Sequence, residues 1–204
     1  MDGQSKYLSP RMQGIYEQYK RAKRFVRLAH RCKTPVSRFR NLIAAVYPAR
    51  AIVELMVEAA KKQELVLFQD EDVDVSVKKF KENVAPKLPY YNLLYRIRIH
   101  DFHRFGCLPP SKEYKTEFIG GPIKLKSSKG SASLSLIPEG PKFTATGNSS
   151  IEGDRPLFTR NGLFFDEESR QYVPLSKILS DFLKAVPNLI EYFMDCCRRT
   201  ESAD

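Results

Sequence analysis

The apolar residues of this chain change their spacing twice, and that change limits the fold more than any single motif does. Up to Gly106 they recur every three or four residues, the period of a helix with one buried face. After the proline pair Pro109-Pro110 they recur every second residue, as Ile123/Leu125, Leu134/Leu136 and Phe143/Ala145, which is the period of a half-buried strand. From Leu175 the helical period returns, with Leu175, Ile178, Leu179, Phe182, Leu183 and Val186 on one face. The implied class is α+β: an N-terminal helical bundle, a small antiparallel β-sheet and a C-terminal helical segment. The bundle is expected over residues 8–106. The sheet and last helix are expected over 113–198, packed with the bundle as one compact unit because the last apolar face needs cover.

Within the first part, Ile15, Tyr19, Ala22, Val26 and Ala29 line one side of a first helix, and Lys20, Arg24, Arg27 and Arg31 line the other. A second long helix is expected from Ser37, with Leu42, Val46, Val53, Met56 and Ala60 on its stripe and a kink near Tyr47 imposed by Pro48. A shorter helix follows, broken around Pro86 to Pro89, and a fourth ends at Gly106. Four consecutive amphipathic helices with short links predict an up-and-down bundle. Between 115 and 173, Gly120-Gly121, "SSKG", "PEGP" and "TGN" punctuate four to six short strands. Asn161-Gly162, between "PLFTR" and "LFFD", predicts a two-residue hairpin turn.

Charge is segregated. Residues 1–50 hold 12 Lys/Arg against Asp2 and Glu17, which accounts for the whole net charge of +10, while 22 Lys/Arg and 22 Asp/Glu cancel in the rest. A basic face of that kind favours a polyanionic partner. With no Trp and with Arg prominent on the stripe, a phosphate-contacting surface fits better than a membrane-inserting one. No apolar run approaches the ~18 residues of a membrane span, and no signal-like segment opens the chain. The four cysteines, Cys32, Cys107, Cys196 and Cys197, include no CxxC pair. A cytoplasmic protein with free thiols is the expectation.

Chemistry concentrates in "YRIRIHDFHRF", Tyr95 to Phe105, which holds two of the three histidines. On a helix Arg96, His100 and His103 fall at i, i+4 and i+7 and share a face, whereas Arg98 points away, with Asp101 at i+3 as its natural partner. A near-neutral histidine beside a phosphate-holding arginine is suited to metal-independent phosphodiester cleavage. The competing expectation is a structural network in which Arg96 and the histidines meet carboxylates of neighbouring helices, such as Glu54 or Glu58. His100 and His103 with Asp101 make a poor metal site, and "GGPIKLKSSKGS" lacks the Gly-Lys-Ser/Thr order of a phosphate loop, so no metal and no cofactor are expected.

An arginine followed by four to six residues and then histidine, near the end of a helix in a small bundle, resembles the signature of the HEPN superfamily. Arg98-x4-His103 and Arg96-x6-His103 both spell it. In active members a polar residue directly follows the arginine, whereas Ile97 and Ile99 follow here. The resemblance covers residues 10–106 at most and leaves the strands unexplained. It implies a bundle that forms a homodimer across the motif. It further implies a role on nucleic acid, RNA rather than DNA, including metal-independent endoribonuclease activity in bacterial toxin or antiphage defence modules. In that role His103 is the acid/base, Arg96 or Arg98 the phosphate clamp and His100 an assistant, with the stripe from Lys20 to Arg31 holding the RNA backbone. The alternative is a non-catalytic nucleic-acid- or protein-binding scaffold with a structural Arg/His/Asp cluster.

Overall fold

Helix α1, Pro10–Arg31, follows from the first apolar stripe, and its last turn carries Arg31, a cation that complements the negative end of the helix dipole. The fold is described from a computed structural model. It describes residues 10–61, 72, 74–75, 78, 82, 85–103, 116–119, 124–127, 131–137, 140–146, 149–152 and 157–201. Among these are four helices and eight strands, all paired antiparallel, which makes the chain α+β. Chain contacts divide it into a helical unit, residues 1–98 with 176–204, and a strand unit, residues 99–175.

Helix α2, Pro35–Lys61, begins where local chemistry dictates. The Thr34 hydroxyl accepts the backbone N–H of Ser37 at 3.1 Å, and Thr34 C=O accepts the first helical bond from Arg38 N–H at 3.0 Å. Threonine at the cap with proline next is a strong start signal, and a cap of this kind contributes about 1 kcal/mol. The start therefore lies two residues before the expected Ser37. Pro48 lies inside the helix, which continues through it despite the lost N–H. Its neighbours explain why: Val46, Ala49, Ile52, Val53 and Met56 are all buried, and packing of that stripe holds the helix together.

α1 and α2 are joined by only Cys32 to Thr34 and pack as an antiparallel hairpin. Gly14, near the start of α1, lies against Leu55, near the end of α2. Ile15, Ala22 and Ala29 are buried, and Tyr19 and Val26 half-buried, along the expected stripe. Ala60 and the short helix expected before Pro86 lie largely outside the described residues. A single 3-10 turn, Ala85–Lys87, leads into Tyr90, which adopts the left-handed region at φ 59°, and then into α3, Tyr91–His103. Leu93, Leu94 and Ile97 form the buried side of α3. Helix α4, Leu175–Glu201, buries Ile178, Leu179, Phe182, Val186 and Ile190 and also runs on through its proline, Pro187.

The strand unit pairs its first six strands in three antiparallel ladders. These are β1 (Thr116–Ile119), β2 (Lys124–Ser127), β3 (Ala132–Ile137), β4 (Gly140–Ala145), β5 (Ser149–Glu152) and β6 (Leu157–Arg160). β3 pairs with β4, β2 with β5, and β1 with β6. Thr116↔Arg160 and Lys124↔Glu152 belong to one continuous register. The Ser127↔Ser149 and Ala132↔Ala145 pairings differ in register by one residue. That shift reconciles two alternations that are out of phase in the sequence. Leu125 still meets Ile151, and Leu134 meets Phe143. Cross-strand hydroxyl pairs, Ser131 with Thr146 at 3.0 Å and Ser133 with Thr144 at 3.1 Å, lie along the exposed side of β3 and β4.

β7 (Leu163–Asp166) and β8 (Gln171–Pro174) extend the β1-β6 ladder into a four-stranded sheet ordered β1-β6-β7-β8. The β6-β7 turn is the expected Asn161-Gly162 pair, with φ 50° and 74°, the two left-handed residues that a type I′ hairpin requires. Asp166 fixes the next turn by accepting Ser169 N–H and the Ser169 hydroxyl, at 3.1 and 2.6 Å. Phe158 and Phe164 are fully buried, and Phe165 meets Phe158 and Tyr172 edge-on at 6.5 and 5.3 Å between ring centres.

Burial pushes the Tyr172 phenol above its ordinary value, and the Arg160 guanidinium partly opposes that shift. The folded form thus holds the phenol proton more tightly than the unfolded chain does. Its contribution to stability is complete below pH ~10 and falls as pH rises through the folded value. Difference titration of wild type against Tyr172→Phe at 295 nm should show one tyrosine ionising above the others. Arg160→Gln should move that transition further up.

Candidate functional site

An arginine on an apolar stripe organises the face between α2 and α3. Arg50 stands between Val46 and Val53 at helical spacing, and is only 3% exposed. α3 presents Tyr91, Tyr95 and Arg98, at i, i+4 and i+7, to it. The Arg50 guanidinium carbon lies 4.3 Å from the Tyr91 ring centre and 5.0 Å from that of Tyr95, so both π-faces take part in holding the charge. Glu54, one turn further along α2, brings Oε1 to 4.0 Å from Arg50 Nη2, and the same oxygen accepts a hydrogen bond from Arg98 Nη1. Two arginines from adjacent helices therefore share one carboxylate.

The sequence-predicted residues divide around this cluster. Arg98 belongs to it, paired across helices with Glu54 instead of with Asp101 on its own helix. An exposed i, i+3 pair contributes only about 0.2–0.5 kcal/mol, whereas the cross-helix pair also serves the buried Arg50. Arg96 is half-buried and His100 is 6% exposed, both on α3. The division between the two units falls inside this helix, after Arg98. The side chain of His103, the last residue of α3, lies outside the described residues. Among the described residues no three of His, Cys, Asp and Glu come together as a metal site.

Lys20, Arg24, Arg27 and Arg31 are all exposed on α1, opposite the buried Ile15, Ala22 and Ala29. Lys20 pairs with Glu17 at 3.0 Å and Arg27 Nε donates to the Lys23 carbonyl at 3.4 Å. Neither Arg24 nor Arg31 has an ion pair among the described residues. Arg21, Lys23, Arg38 and Arg40 are exposed too and widen the basic surface across the start of α2. Sequence reasoning missed Arg50, Tyr91 and Tyr95 as a group. The signal was present: Arg50 interrupts the stripe running from Leu42 through Val46 to Val53 and Met56, and an arginine on a buried face requires partners.

No protein-family model matches the chain, and neither a curated protein nor a solved structure matches it. No helix among the described residues is long and apolar enough to cross a membrane.

The shared carboxylate makes a specific stability prediction. Glu54→Ala leaves Arg50 without an anionic partner and should destabilise the helical unit by about 2 kcal/mol. Arg98→Ala removes a part-exposed partner and should lower stability by about 1 kcal/mol or less. Urea unfolding followed at 222 nm checks both. A Glu54→Ala effect no larger than that of Arg98→Ala would show that Arg50 does not depend on the carboxylate.

Proposed function

We propose that the protein binds RNA along the basic face of α1, and that the Arg50-Glu54-Arg98 cluster holds the helices that support this face. The observation that carries the reading is the exposed row of Lys20, Arg24, Arg27 and Arg31 on a helix whose other side is buried. A row of cations on a rigid helix is suited to successive phosphates, and their shared surface spreads across Arg38 and Arg40. Basic charge of this kind binds through release of counterions, so affinity must fall with salt.

Metal-independent cleavage, with His103 as acid/base, Arg96 or Arg98 as clamp and His100 as assistant, rests on the HEPN-like spelling. The geometry favours binding over cleavage, because His100, the assistant in that scheme, is buried. A bacterial defence or toxin role and a homodimer belong to that same resemblance.

Fluorescence anisotropy with a single-stranded RNA oligonucleotide tests the proposal. Arg24→Ala with Arg27→Ala should weaken binding and flatten the slope of log affinity against log salt by about 0.7 for each lost phosphate contact. Affinity that is insensitive to salt, or unchanged in the double variant, would overturn the α1 surface. The same RNA incubated in EDTA should stay intact with wild type. Cleavage that disappears in His103→Ala would establish the nuclease instead.

A further inference from the structure

We infer that the Arg50-Glu54-Arg98 cluster is an oxyanion site, built for a phosphate group, in which the Glu54 carboxylate occupies the anion's place. This inference stands apart from RNA binding along α1 and does not depend on it.

Charge is the first argument. Two guanidinium groups converge on one oxygen of one carboxylate, and among the described residues neither has another acid partner. The cluster thus carries one more positive charge than negative.

Donor capacity is the second. The Arg50 side chain is 4% exposed, and its Nε and Nη1 atoms are buried with no hydrogen-bond partner. Buried donors are almost always satisfied, so unused guanidinium N–H groups in a buried site point to an acceptor that belongs there. The Tyr91 and Tyr95 faces stabilise the charge but accept none of these in-plane N–H bonds. A tetrahedral oxyanion offers more acceptor oxygens than a carboxylate and a second negative charge, and arginine recognises it through its planar fork.

Access is the third. The Glu54 side chain is 42% exposed and that of Arg98 34%, so the carboxylate that meets Arg50 Nη2 and Arg98 Nη1 borders solvent. Tyr95, 45% exposed, borders the same face.

Thermal unfolding in phosphate, against chloride at equal ionic strength, tests the site. Glu54→Gln removes the competing charge while keeping the shape. Phosphate at about five times its Kd should raise the midpoint of this variant by about 3 °C, a response several-fold larger than that of wild type. Adding Arg98→Ala to Glu54→Gln should abolish the gain, whereas Arg24→Ala with Arg27→Ala should leave it intact. If Glu54→Gln does not fold, Glu54→Asp keeps the charge but shortens its reach, and it must respond more strongly than wild type. Equal responses of wild type and the Glu54 variant, or a response that survives Arg98→Ala, would overturn the inference. Uridine monophosphate and inorganic phosphate, titrated separately into Glu54→Gln, distinguish the source. Tighter binding of the nucleotide assigns the site to a nucleotide phosphate, and equal binding assigns it to free phosphate.

Discussion

A buried arginine on the apolar stripe of α2 governs the arrangement around it. Desolvating a guanidinium is expensive, so a helix that carries one on its buried face must be met by groups that compensate it. Arg50 is met by two tyrosine rings and a carboxylate, and these come from specific places: Tyr91 and Tyr95 from α3, and Glu54 from its own helix. Arg98 then binds the same oxygen of that carboxylate. The azimuth of α3 around its axis is thereby fixed by polar chemistry, with Leu93, Leu94 and Ile97 supplying the apolar contact beside it. An apolar stripe alone tolerates small rotations; a guanidinium stacked on two rings does not.

The same division of labour separates the two groups of basic residues. On α1 the cations face solvent and are paired weakly or not at all within the described residues, which leaves their charge available to an outside partner. Between α2 and α3 the cations are turned inward and share a single acid. The N-terminal charge excess therefore serves two purposes. Most of it forms a surface, and Arg50, the last basic residue of that segment, forms a structural junction.

Much of the fold was legible in the sequence because period alone distinguishes its parts. The stripes of α1 and α2, the Asn161-Gly162 turn and the return to helix at Leu175 each follow from local chemistry. Three features were not legible. Thr34 and Pro35 set the start of α2 ahead of Ser37, since a threonine cap followed by proline outweighs serine two residues later. The eight described strands exceed the four to six expected, because β1, β5 and β8 are four-residue segments with too few apolar positions to show a period. The partner of Arg98 was misassigned to Asp101, since spacing along one helix carries no information about an acid on the next. Sequence placed Arg96, His100 and His103 on one helical face but could not show that His100 is buried.

Arg50 is thus a desolvated charge held by Tyr91, Tyr95 and Glu54. Proton-nitrogen NMR of the arginine Nε–H groups tests it most directly. The Arg50 Nε–H signal should be shifted upfield by the two rings, exchange with water far more slowly than those of the α1 arginines, and move in Glu54→Gln. An Arg50 signal that coincides with those of Arg24 and Arg31 in shift and exchange rate would contradict it.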